Sequence, residues 1–195
     1  MLYFYNTPYE GGVCDRNTFN TGTTPGQLLA NLLPHMIKNH GKNIYVLAAD
    51  YNFGQLSEKW TRKLASDLGA KVIASEFFPL DVAQFGPTIN KIQAAKPDFI
   101  VNTFVGPAHA SFYGQWAAAG MKKQIPIASQ TFGEGGEVVR MPPEVSDGIV
   151  VCYNYLVYAR LRRLRENHRF VFCEELLTRE DYDTLHAAVD SIAFN

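Results

Sequence analysis

What the sequence has little of narrows its class first. Among 195 residues there are three cysteines, Cys14, Cys152 and Cys173, too few and too far apart for a disulfide scaffold or a zinc site. No uninterrupted apolar run approaches the roughly 18 residues of a membrane span, and the N-terminus lacks the basic, apolar and small-residue succession of a secretion signal. Charge of one sign is missing too: 18 basic against 19 acidic side chains leave a formal net charge of -1, with no electrostatic footprint for nucleic acid or an anionic membrane. Catalytic signatures are also absent. There is no GxSxG elbow, HExxH pair, CxxC or phosphate-cradling P-loop. Gly133, Gly135 and Gly136 superficially suggest a dinucleotide fingerprint, but Val138 and Val139 stand where a third spaced glycine is needed. No internal repeat or low-complexity tract is visible.

What is there is a core. At 47% hydrophobic and 19% charged, the chain reads as one ordinary domain, or one domain plus a fragment of another. Five β-rich runs are expected at 43–49, 71–77, 98–103, 124–129 and 149–155. Ile44-Tyr45-Val46-Leu47-Ala48 is apolar at consecutive positions, which suits a parallel strand covered on both faces. Between the runs lie helices. Thr24-Pro25 opens the first as N-cap and first-turn proline, Asn39-His40-Gly41 closes it, and Pro34 inside it predicts a kink. The second carries Leu56, Trp60, Leu64 and Leu68 as its apolar stripe and stops at Gly69. A third is expected from Asp81 or Pro87 to Ala95, a fourth from Pro107 to Ala119, and a short one near Glu134 before the Pro142-Pro143 break. Strands alternating with such helices predict a doubly wound α/β domain with a parallel sheet.

Both ends differ from this body. Leu2 to Tyr5 is strand-like and is followed by a polar loop over 6–23. Residues 1–150 contain nine lysines and three arginines, whereas 151–195 contain six arginines and no lysine, a change that marks 156–195 as a divergent arginine-rich segment.

An open parallel sheet binds ligands at the carboxyl ends of its strands. Here those ends read Tyr5-Asn6-Thr7-Pro8-Tyr9, Asp50-Tyr51-Asn52-Phe53-Gly54, Asn102-Thr103-Phe104-Val105-Gly106 and Ser129-Gln130-Thr131-Phe132-Gly133-Glu134. Aromatic walls, hydroxyls, amides and helix starts together suit a small, neutral, polar ligand, although tyrosines packing over strand ends and threonines capping helices read equally well. Among five scattered histidines, His109, near a helix start, is the least dismissible, yet no carboxylate or cysteine at ligand spacing accompanies it.

The segment from Leu2 through Thr7-Pro8-Tyr9-Glu10-Gly11 to Cys14, then Asp50-Tyr51, then Asn102-Thr103-Phe104-Val105-Gly106, resembles the urea and short-chain-amide branch of the type I periplasmic-binding-protein family over about residues 2–155. The resemblance implies a non-enzyme with two α/β lobes that close on a solute, partnered by an ABC permease. It also implies a periplasmic location, or a cytoplasmic one if the chain is a sensor of the amide-receptor kind. It places Tyr5, Thr7, Pro8 and Tyr9 at a hinge-proximal strand end of the first lobe and Tyr51 on the second, with Val105, Gly106, Thr131 and Glu134 as further ligand-binding candidates. Tyr5 and Tyr51 would sandwich the ligand while Thr7 and the Pro8 carbonyl bond an amide. The set is largely uncharged, which favours urea or an amide over a branched-chain amino acid; no cofactor or metal is expected. The expected organisation is a hinge strand and loop of a truncated first lobe at 1–23, an α/β ligand-binding lobe at 24–155 and the divergent segment at 156–195. Apolar surface around Leu2 to Tyr5 would then be exposed, making a homodimer a live expectation. A small doubly wound enzyme is the alternative class, for which no nucleophile-base pair is present.

Overall fold

The computed structural model describes residues 2–6, 9–133 and 140–152. The chain runs β1 (Tyr3–Tyr5), β2 (Thr18–Asn20), α1 (Pro25–His40), β3 (Asn43–Ala49), α2 (Asn52–Asp67), β4 (Lys71–Phe78), α3 (Gly86–Ala95), β5 (Phe99–Thr103), α4 (Pro107–Ala118), β6 (Ile127–Ser129), α5 (Pro143–Ser146) and β7 (Val150–Val151). The last five strands form one parallel sheet in the order β4-β3-β5-β6-β7, with helices between successive strands, as expected for a doubly wound α/β unit. β3 and β5, inside the sheet, are mainly apolar because both faces are covered, with polar Asn102 and Thr103 buried at the end of β5. Ile44, Val46, Phe99 and Val101 pack with Leu29, Leu32, Leu33 and Met36 of α1 on one face. Tyr45, Leu47 and Ile100 pack with Ile89, Phe112 and Trp116 of α3 and α4 on the other.

The elements begin and end for local reasons. At α1, Thr24 accepts from the Gln27 amide while the Gln27 side chain accepts from the Thr24 amide, a reciprocal cap that joins the expected Thr-Pro start. α1 continues as one helix through Pro34. That proline is exposed, and so is Ala30, whose carbonyl loses its helical donor and is open to water. At the amino end of the sheet, Asp98 Oδ2 accepts from the backbone amides of Lys42 (2.8 Å) and Asn43 (2.7 Å) and from Asn43 Nδ2 (3.0 Å), tying the start of β3 to that of β5. Asp98→Ala is expected to cost about 2 kcal/mol, since it strands two backbone donors of an ionised acceptor. A guanidinium denaturation midpoint equal to wild type would contradict this.

Several expectations need correction. The α2 stripe is displaced: Trp60 and Leu68 are 38% and 40% exposed, while Phe53, Gly54, Ser57, Thr61 and Ala65 are buried. Small side chains on that face let the helix sit close to the sheet, and Trp60 instead lies over Gly26 of α1. The loop over 6–23 contains β2, which pairs in parallel with β1 as a separate two-stranded sheet. The Pro142-Pro143 break starts a helical turn, α5, because proline suits a first-turn position. Of the two starts weighed for α3, the structure has the later one, at Gly86 with Pro87 in the first turn. The strand expected at 124–129 is shorter, Ile127–Ser129, after a 3-10 turn at Met121–Lys123; of the run expected at 149–155 the described part holds β7, and 153–155 lie outside the described residues. The short helix near Glu134 and the segment 156–195 lie outside the described residues.

On the small sheet, Phe4 stacks on Phe19 at 5.2 Å, and Leu2 and Phe4 are 61% and 58% exposed. The expected apolar surface is therefore present there.

Candidate functional site

The strand order determines where a ligand fits. β3, first in the main sheet, lies between β4 and β5, so the chain winds one way from it to β4 and the other way to β5 and beyond. The loops leaving β3 and β5 consequently part company, and it is outside their carboxyl ends that a sheet of this order places its ligand crevice. Ala48 pairs with Thr103, which sets Asp50 and Tyr51 beside Phe104, Val105 and Gly106. Tyr51, Val105 and Gly106 are therefore brought to the point that parallel-sheet topology reserves for ligands.

Two helix starts face that point. α2 begins immediately after Tyr51 and α4 immediately after Gly106, and neither start is closed by a side-chain cap. The first N–H groups of a helix have no partner within it, and together with the helix dipole they favour an oxygen acceptor. Gly106 makes the α4 start possible. Its φ of 60° with ψ of -138° is open to glycine alone, although a Cβ would meet nothing within 4 Å, so conformation and not space requires the residue. The Tyr51 ring stacks on buried Phe53 at 6.3 Å. Asp50 accepts from Gln55 Nε2 at 3.0 Å. No lysine or arginine stands at 50–53, 103–106 or 129–133.

Thr131 has a different post from the one expected of a rim hydroxyl. It is buried, donates to the Phe104 carbonyl at 2.6 Å and lies 3.2 Å from His109 Nε2. Ser129 Oγ closes the same loop by accepting from the amides of Thr131 (3.3 Å) and Phe132 (3.1 Å). Gln130 is also buried. Its Nε2 bonds Ser57 of α2, and its Oε1 has no hydrogen-bond partner among the described residues.

Tyr5 and Tyr9 form their own cluster on the small sheet, rings 4.9 Å apart. Tyr5 donates its hydroxyl to Glu10 at 2.7 Å, and that bond raises its pKa above the ordinary tyrosine value by holding the proton in place. Tyr9 is buried, and its hydroxyl accepts from the Val13 amide. Thr7, Pro8 and Glu134 lie outside the described residues. Sequence reasoning placed Ser129 and Gln130 only within a strand-end segment and noted His109 with no carboxylate or cysteine at ligand spacing, so the contacts of all three were missed. Ser129 carries a readable signal in retrospect, a serine at a strand end followed by a tight turn; the partners of Gln130 and His109 are distant in sequence and carry none.

Residues 1–171 match the model of a family described as periplasmic binding protein. Among solved structures, the fold is similar to an amino acid ABC transporter substrate-binding protein from Pseudomonas fluorescens Pf-5, with a TM-score of 0.67 and 17% identity over 76% of this chain and 41% of that one. It is also similar to an ABC transporter solute-binding protein from R. palustris in complex with benzoate, with a TM-score of 0.65 and 24% identity over 73% and 39%. A branched chain amino acid ABC transporter periplasmic ligand-binding protein from Burkholderia xenovorans LB400 gives a TM-score of 0.56 at 16% identity over 65% and 33%. At such identities the likeness is one of fold. The chain spans about two fifths of the length of the first two of these proteins. A comparison with curated proteins finds no match.

Proposed function

Because this chain belongs to the periplasmic binding protein family, we propose that it is a solute-binding component of an ABC transporter, in which the 24–155 unit acts as a ligand-binding lobe and 1–23 as a hinge segment. In this reading it is not an enzyme. It works in the periplasm, hands its solute to a permease, and captures urea or a short-chain amide.

The observation that carries the solute class is the character of the crevice wall: the first N–H groups of α2 supply donors, α4 adds the Ala108 N–H alone because Pro107 has none and the His109 amide donates to Gly106 O, Tyr51 supplies a flat apolar surface, and no basic side chain stands at 50–53, 103–106 or 129–133. Tyr5 adds support from the small sheet. With its hydroxyl hydrogen engaged by Glu10, its oxygen would meet a ligand that reaches it as an acceptor. An amide brings both a carbonyl for the helix starts and N–H groups for such acceptors, whereas a carboxylate brings acceptors alone. A second reading has one observation in its favour: uncapped helix starts also suit a carboxylate, the group shared by amino acids and benzoate.

Titration of the 195-residue chain with urea, acetamide, leucine and benzoate, followed by amide NMR, separates the two. Urea and acetamide are expected to shift the amides around Tyr51 and Gly106 with a Kd of about 1 mM or weaker, because one lobe supplies only part of the contacts and does not exclude water. Shifts with leucine or benzoate in place of the amides would transfer the site to the second reading. Micromolar affinity for any of the four would contradict the one-lobe account of this chain.

A further inference from the structure

We infer that His109 is a positioning residue: through the Thr131 hydroxyl and the Phe104 carbonyl it ties the loops leaving β5 and β6 to the first turn of α4, and so fixes the crevice wall formed by 104–106 and 131–133. The direction of each hydrogen follows from elementary chemistry. A carbonyl only accepts, so the Thr131 hydroxyl, 2.6 Å from the Phe104 oxygen, spends its proton there. The Thr131 oxygen is then an acceptor toward everything else. His109 Nε2, 3.2 Å away, therefore carries a hydrogen and donates it. Ser129 Oγ, at 3.4 Å, is a second donor to the same oxygen, its own lone pairs being engaged by the amides of Thr131 and Phe132.

The imidazole is held for this task. It has no exposed surface, lies parallel to the Tyr113 ring at 5.5 Å and meets Phe132 edge-on at 5.6 Å. The His109 backbone amide donates to Gly106 O, which closes the first turn of α4 on the same node. One residue thus links, by its backbone amide, the glycine that starts α4 and, by its ring through Thr131, the ends of β5 and β6. The purpose assigned to this link rests on the reading of the crevice as a solute site, but its existence does not.

The test needs no solute, so its failure and the failure of the solute reading are separable. In the full 195-residue chain, imidazole nitrogen NMR is expected to find Nε2 protonated. His109→Leu and Thr131→Val are expected to speed amide hydrogen exchange at 104–106 and 131–133 by about tenfold, while amides of β3 keep their wild-type rates. His109→Gln, whose amide nitrogen reaches about as far as Nε2, is expected to restore those rates to within about twofold. An Nε2 without hydrogen, unchanged exchange in Thr131→Val, or a glutamine variant as fast as the leucine variant would each overturn the inference. If the leucine variant does not fold, the nitrogen spectrum of the wild type and the exchange of Thr131→Val decide the matter.

Discussion

Gly54→Ala is expected to abolish folding of the chain, or to weaken it by more than about 3 kcal/mol, a large share of the 5–15 kcal/mol that typically holds a domain together. A Cβ at this position would lie 2.0 Å from the carbonyl oxygen of Ala49 and 3.0 Å from two further backbone atoms of that residue. Backbone atoms have no rotamer to swing into, so the clash is relieved only by opening the turn between β3 and α2. That turn is held by the Tyr51 amide donating to Ala49 O at 2.9 Å, and it carries Tyr51 to the crevice. Gly114→Ala is the matched control. A Cβ there meets nothing within 4 Å, and alanine in mid-helix is expected to stabilise by about 0.5–1 kcal/mol. Opposite signs in two glycine-to-alanine changes, read from guanidinium midpoints and far-UV circular dichroism, would confirm that contact is the cause. A wild-type midpoint for Gly54→Ala would refute the close approach.

Phe104→Ala is expected to cost about 3–5 kcal/mol, in the range found for emptying a buried aromatic position. The side chain has no exposed surface, and its ring meets those of Phe78, Phe85 and Phe112 at 5.5, 5.2 and 5.7 Å. These four rings come from β4, the turn before α3, the end of β5 and α4, so removing the central one loosens four elements together. Phe104→Leu, which refills most of the volume, is expected to recover more than half of the loss. Thermal or guanidinium unfolding reads both variants. A loss below about 1 kcal/mol for the alanine variant would mean that the surrounding rings close the gap, contrary to the close packing expected of a core.

Phe104 also illustrates how far the sequence could be read. Asn102-Thr103-Phe104-Val105-Gly106 was recognisable as a strand end, and the strand is there. Nothing in the five letters says that the Phe104 ring points into the core while Gly106 turns the chain. The strand at 43–49 was legible because Ile44-Tyr45-Val46-Leu47-Ala48 leaves no polar face, and the run expected at 71–77 is present as β4, one residue longer. The helix ends were legible at Thr24-Pro25, where capping chemistry is local. The buried face of α2 was not. Its close approach to the sheet selects Gly54, Ser57, Thr61 and Ala65, and a search for large apolar residues favours Leu56, Trp60 and Leu68 instead. β2 was hidden for a related reason, since Thr18-Phe19-Asn20 has a single apolar residue and gains its identity from pairing with β1. Strand order, and with it the crevice beside Tyr51, depends on pairings across tens of residues that no local pattern encodes. Thr131 was legible as a hydroxyl at a strand end, but its partners Phe104 and His109 are 27 and 22 residues away.

The uncapped starts of α2 and α4 have a consequence for how a solute is chosen. On the proposed reading, an entering solute has to replace the water that solvates those amides. Only the difference between the two sets of hydrogen bonds is retained. An apolar molecule of the right size leaves each amide bare, at about 1–3 kcal/mol apiece, whereas a carbonyl replaces the water it expels. On that reading shape decides which molecules enter, and dehydration of the main chain decides which of them stay.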